Sequence, residues 1–203
     1  MSASRLVLWR HGQTDWNVSG RLQGQQDIPM NDVGLDQARA AAGVLAQLPP
    51  DRIVSSDLTR AYETARFLGA LTGVPVEIDR RLREIDVGEW GGRDFADIRA
   101  LDPDLAEAIV RGEDIRRSPT GEKPSEVGER IAAALGDIAG TTADGRTVVV
   151  VTHGMAARIG SVFFAGGTYA ETRLLGGMHN CAWITLAPAW TGSWQIKEYN
   201  VRT

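Results

Sequence analysis

The segment that most narrows the fold is Thr147-Val148-Val149-Val150-Val151-Thr152, the most strongly strand-like stretch of the chain. Four valines in a row leave no polar face to turn toward water, so a strand built from them must be covered on both sides. That is the situation of a strand inside a parallel sheet with helices packed on either face. Residues 5–9, Arg-Leu-Val-Leu-Trp, read the same way. Asn31 or Asp32 is placed to cap a helix running through an Ala-rich stretch to Leu48, where Pro49 and Pro50 stop it. Residues 52–55 form a second buried strand. Ser56 or Asp57 then caps a helix with Leu58, Ala61, Ala65 and Leu68 on one face and Gly73 at its end.

Residues 74–78 predict a third strand, and helices follow over 125–138 and 155–164. Between about 94 and 123 the alternation breaks into a charged stretch holding Pro103 and Pro119, read as a helical insertion. Residues 182–187 and 194–199 predict a hairpin around Thr191-Gly192. The expected fold is α/β, a three-layer α/β/α sandwich with a mostly parallel central sheet and a small helical insertion over the site. One domain is expected to span 1–203.

Charge and cysteine content narrow the partners. A net charge of −4 argues against nucleic acid, whose binding needs a basic footprint. A local cluster of Arg can still reverse the field within one cleft and receive a small anion. The single cysteine, Cys181, permits no intramolecular disulfide and no thiolate metal cage, and it reads as a small buried hydrophobe. The apolar run within residues 1–9 is too short for a signal peptide, and no other run is long enough to span a bilayer. A soluble, cytoplasmic protein with no membrane partner is expected.

Two strands end alike. Residues 5–9 run into Arg10-His11-Gly12, and residues 147–152 run into His153-Gly154. Sites in open α/β sheets lie at the carboxyl ends of the strands, so both His-Gly turns are expected to face one cleft, with glycine allowing the sharp turn and the approach of a ligand. No Walker-type or dinucleotide-binding glycine loop is present. Arg10 lies beside His11, and Arg60 falls on the first turns of the helix after residues 52–55, where a helix N-terminus also favours anions. An Arg guanidinium suits phosphoryl oxygens in bidentate geometry.

Four blocks in this order resemble the histidine phosphatase superfamily, also called phosphoglycerate mutase-like. They are Arg10-His11-Gly12-Gln13-Thr14-Asp15-Trp16-Asn17, residues 55–65 around Arg60, Leu82-Arg83-Glu84-Ile85-Asp86-Val87-Gly88-Glu89-Trp90, and Val151-Thr152-His153-Gly154. The resemblance implies a phosphohistidine on His11 and a phosphate clamp of Arg10, Arg60 and His153. It further implies Glu84 as proton donor and acceptor, and Asn17, Gln23, Gly24 and Gly154 as substrate contacts. No metal and no cofactor is implied. Arg83 is expected to keep Glu84 ionised until a phosphate dianion arrives, giving an acidic to neutral optimum. Gln23-Gly24-Gln25 and residues 175–180 resemble the branch that removes phosphate from glucosyl-3-phosphoglycerate. Lys123 departs from the family, which usually has Ser after Gly121-Glu122.

Other readings compete with these. Glu84 read as a surface carboxylate would pair with Arg81 or Arg83, and Asn17 and Gln23 as turn caps. Arg111, Arg116, Arg117 and Lys123 read better as a solvated charge run than as a second anion grip, since Glu113 and Asp114 interleave with them. Trp9, Trp16 and Trp90 belong to core or cleft wall, and His179 to hairpin packing or the pocket rim. Mutases of the family carry a longer insertion and a C-terminal tail that shields the phosphohistidine. Here the chain stops at Thr203, just after the hairpin, which predicts hydrolysis. A non-catalytic phospholigand-binding module is the second alternative, disfavoured because both nucleophile and acid are present. The apolar hairpin leaves a homodimer open.

Overall fold

The computed structural model describes residues 3–203; Met1 and Ser2, at the head of the segment read as too short for a signal peptide, lie outside the described residues. The elements follow in the order β1 (Arg5–Arg10), α1 (Asp15–Val18), α2 (Asp32–Leu45), β2 (Arg52–Ser55), α3 (Thr59–Thr72) and β3 (Val76–Ile78). Then come α4 (Phe95–Leu101), α5 (Pro103–Val110), α6 (Pro124–Gly140), β4 (Thr147–Thr152), α7 (Gly154–Phe164), β5 (Trp183–Pro188) and β6 (Trp194–Val201). Short 3₁₀ turns occupy Arg80–Leu82, Gly88–Trp90 and Ala170–Leu174.

The strands form one sheet in the order β3-β2-β4-β1-β5-β6. Pairs β1–β4, β2–β4 and β2–β3 are parallel, while β1–β5 and the β5–β6 hairpin are antiparallel. Alternation along each strand divides the core in two. Leu6, Leu8, Val148 and Val150 face α6 and α7, and Val7, Trp9, Val149 and Val151 face α2 and α3. The valine run of β4 is thus buried on both faces, and the three-layer α/β/α arrangement follows. Residues 94–123 hold α4 and α5, as expected for a helical insertion.

Several expected boundaries shift. Helix α2 starts from Asn31, whose Oδ1 accepts from Gly34 N at 2.9 Å, and it ends at Leu45 rather than Leu48. Helix α3 starts at Thr59, and neither Ser56 nor Asp57 caps it. Asp27 does so from a distant loop, accepting from Thr59 N at 2.7 Å and Thr59 Oγ1 at 2.8 Å. The other two side chains are engaged elsewhere: Asp57 takes a bidentate bond from Arg83, at 2.7 and 2.6 Å, and Ser56 turns toward His153. The third strand covers only Val76–Ile78.

Candidate active site

Strands β2, β4 and β1 lie side by side and parallel, so their carboxyl ends share one edge of the sheet. There the chain leaves β1 as His11-Gly12, β4 as His153-Gly154 and β2 as Ser56-Asp57. The two imidazoles meet edge to face, with ring centroids 5.2 Å apart. The glycines are required by the protein's own packing. A Cβ on Gly12 would sit 2.3 Å from the Gly34 carbonyl oxygen in the first turn of α2, and one on Gly154 would sit 3.1 Å from Arg10 Nε.

His11 is 2% exposed, with Nδ1 2.7 Å from the Gly12 carbonyl oxygen. A carbonyl only accepts, so Nδ1 carries the proton and Nε2 keeps its lone pair. Burial, and then the charges of Arg60 and Arg10, hold this imidazole well below its usual range. His153, fully buried, is lowered in the same way, first by burial and then by Arg60. Its Nε2 lies 3.0 Å from Ser56 Oγ, which also accepts from Leu58 N at 3.3 Å. Among the described residues Nε2 is the acceptor in reach of the buried Ser56 hydroxyl, and donation to it assigns the proton of the neutral ring to Nδ1.

Arg60 is fully buried on the first turn of α3. Its Nη1 donates to Gln26 O at 2.7 Å and its Nη2 to Gly24 O at 2.8 Å. Burial pushes its pKa down to about 10, with Glu84 and Asp27 opposing, so it remains a cation at neutral pH. Arg10 donates through Nη1 to Met178 O, and burial likewise lowers it. Among the described residues, the buried side-chain polar atoms without a partner are Arg10 Nε, Arg60 Nε, His153 Nδ1, Gln23 Oε1 and the Ser118 hydroxyl. All but the last belong to residues singled out from the sequence. Orphaned buried polar atoms are rare in a folded protein, and a cluster of them marks a place meant for a ligand.

Glu84 reaches the same edge from the loop after β3, but its expected partner is corrected. Arg83 is bound to Asp57, and Arg81 pairs with Asp79 and Asp137. Glu84 instead caps α7: Oε1 accepts from Ala156 N at 2.9 Å and Ile85 N at 3.0 Å, and Oε2 from Met155 N at 3.1 Å. The N-terminal dipole and free N–H groups of α7 hold this carboxylate in place of an arginine.

Asn17 has its Oδ1 occupied, accepting from Thr14 N at 3.1 Å and from Asn180 Nδ2 at 3.0 Å, so the turn-cap reading describes its oxygen. Gln23 is 8% exposed, and Gly24 offers its carbonyl to Arg60. The charge-run reading fits Arg111 and Arg116, paired with Glu113 and Glu126, and Lys123 is exposed. It does not fit Arg117, which is 6% exposed and lowered by burial, with Nη1 donating to Ile115 O at 3.0 Å. His179 is exposed, held through its backbone N by Asn200 Oδ1. Trp9 and Trp90 are buried, and Cys181 is a buried free thiol pushed up to about 12 by burial.

Sequence reasoning did not find Ser56, which orients His153, or Asp27, which caps the helix carrying Arg60. It also passed over Asn180, whose Nδ2 bridges His11 O and Asn17 Oδ1 at 3.2 and 3.0 Å.

Residues 6–202 match the sequence profile described as Histidine phosphatase superfamily (branch 1). The chain is 40% identical to the glucosyl-3-phosphoglycerate phosphatase of Mycobacterium tuberculosis, over 98% of this chain and 96% of that protein. A solved structure of a mycobacterial glucosyl-3-phosphoglycerate phosphatase with VO3 superposes with a TM-score of 0.89 at 38% identity, covering 98% of this chain and 99% of that one. Another, with inorganic phosphate, gives a TM-score of 0.87 at 38% identity, covering 98% of each. By sequence and by fold, the chain belongs to branch 1 of the histidine phosphatase superfamily.

Proposed function

We propose that this protein is a phosphatase that hydrolyses a phosphomonoester of a small metabolite through a phosphohistidine on His11. The observation that carries the reading is a neutral imidazole, its Nδ1–H committed to Gly12 O, set among buried cations whose Nε donors lack partners. Nε2 of His11 attacks phosphorus, the N–P bond forms, and the P–O bond to the leaving group breaks with its electron pair on oxygen. Arg10, Arg60 and the Nδ1–H of His153 take up the phosphoryl oxygens, so positive charge is in place before the reaction begins.

Glu84 gives a proton to the departing alkoxide. Its Oε1 already accepts two N–H groups and Oε2 only one, so Oε2 is the oxygen with room for that proton. In the second step the carboxylate takes a proton from water, the water oxygen attacks phosphorus, and the N–P electrons return to His11, releasing inorganic phosphate. Asn17, Gln23, Gly24 and Gly154 are the proposed substrate contacts, with Asn17 and Gln23 approaching the phosphate. The relatives make glucosyl-3-phosphoglycerate the leading candidate substrate.

No metal is required, because guanidinium groups stand where a cation would otherwise stabilise charge; activity should be unchanged by EDTA. Cys181 as a free thiol agrees with a cytoplasmic location. The test is His11→Ala with a panel of phosphorylated metabolites that includes glucosyl-3-phosphoglycerate. Turnover should fall by roughly 10³-fold or more, and label from the phosphate should no longer be trapped on the protein in an acid-labile bond. Retained hydrolysis in the variant would sink the reading, as would mutase turnover with 2,3-bisphosphoglycerate comparable with hydrolysis.

A further inference from the structure

Helix α6 carries a side chain whose five donors are all engaged, and most of them hold the loop that delivers Glu84. Arg130 donates from Nη1 to Arg81 O at 2.8 Å and Arg83 O at 2.7 Å, and from Nη2 to Glu84 O at 2.9 Å. The remaining donors form a bidentate pair with Glu122, Nε to Oε1 at 2.7 Å and Nη2 to Oε2 at 2.8 Å. Glu122 closes the frame from the other side: its Oε2 accepts from Asp86 N at 2.8 Å, and its backbone N donates to Asp86 O at 2.8 Å.

Loop backbone at 81, 83 and 84 is therefore fixed to one planar group, and at 86 to the glutamate paired with it. An arginine spent on carbonyls and on a carboxylate with ideal fork geometry is more than a surface ion pair, since every bond in it restrains the same segment. The restraint matters at Glu84 because no charged side chain hydrogen-bonds its carboxylate. Arg81 and Arg83 bind other carboxylates, and the side chain of Glu84 meets only backbone N–H groups.

We propose that Arg130, with Glu122, is a positioning residue that sets the Glu84 carboxyl at proton-transfer distance from the leaving oxygen. This rests on the reading of Glu84 as proton donor. Arg130 does not touch the substrate in this scheme; it acts through the loop backbone. A geometric restraint of this kind is needed only where the leaving group needs a proton, so its loss must depend on the leaving group. A lysine keeps the charge but loses the fork, so Arg130→Lys separates geometry from electrostatics.

The experiment compares kcat/KM for glycerol phosphate, whose alkoxide must be protonated, with that for 4-nitrophenyl phosphate, whose phenolate leaves without help. The full-length protein is used as wild type, Arg130→Lys, Glu122→Gln and Glu84→Gln. Arg130→Lys and Glu122→Gln are expected to lose about 10- to 100-fold on glycerol phosphate and less than about 3-fold on 4-nitrophenyl phosphate. Equal losses on both substrates, or full activity of Arg130→Lys on glycerol phosphate, would overturn the inference. If one of these variants fails to fold, the other gives the same comparison. Glu84→Gln separates the two readings. If it loses equally on both substrates, the assignment of Glu84 as acid falls and this inference with it. If it is selective while Arg130→Lys is not, only the inference falls.

Discussion

At the scale of single residues, the buried imidazoles of His11 and His153 couple the site to pH. Burial and neighbouring arginines hold both well below the usual histidine range, so the native protein keeps them neutral where the unfolded chain takes up protons. With more protons bound in the unfolded state, unfolding free energy must fall as pH drops through about 6.5. The slope should reach up to ~2.7 kcal/mol per pH unit for the two groups together. Urea titrations between pH 7 and pH 5, above the range where carboxylates protonate, measure it. A flat stability profile there would contradict the neutral imidazoles, and with them the free Nε2 on His11. The pairing of arginine and histidine at strand ends was legible because those residues sit next to recognisable strands. Ser56 was not legible, since its role depends on His153, 97 residues away. Glu84 was given the wrong partner, because adjacency in sequence suggested Arg83. A 3₁₀ turn at Arg80–Leu82 instead aims Arg83 at Asp57.

At the scale of elements, strands buried on both faces were the most legible and helix starts the least. β4 matches its expected span, because four valines admit no other reading. The start of α3 was misplaced for a physical reason: short polar side chains beside a helix start are natural caps, but here longer-range partners claim them. Asp27 supplies the cap from across the loop, so Asp27→Ala should lower unfolding free energy by ~1 kcal/mol, with Asp27→Asn costing less. Chemical denaturation of the two variants checks the order, and an Asp27→Ala protein as stable as wild type would remove Asp27 from the cap. The same loop offers the carbonyls of Gly24 and Gln26 to Arg60, so one segment holds both the helix start and the cation that the helix carries.

At the scale of the whole molecule, the layer made by α6 and α7 ties the two halves of the site together, since α7 receives Glu84 and α6 supplies Arg130. The two helices approach so closely that a Cβ on Gly160 of α7 would lie 2.0 Å from Ile131 Cγ2 of α6. Gly160→Ala should therefore cost about 1–3 kcal/mol through overpacking, read as a lowered melting temperature, although alanine is otherwise the better helix former. An unchanged or raised melting temperature would show that the layer can spread without loss. The three-layer fold was legible from strand–helix alternation, whereas this contact was not, because the distance between two helices is set by residues that no local pattern connects. The position of β1 between β4 and β5 carries a consequence for biosynthesis. The strand that leads into His11 is synthesised ahead of its partners β4 and β5, and Arg10 is anchored to a carbonyl 168 residues on. Such distant pairings form late and slowly. A chain that has not yet reached β4 and β5 should therefore carry His11 without the His153 and the Arg10 anchor that the proposed reaction requires.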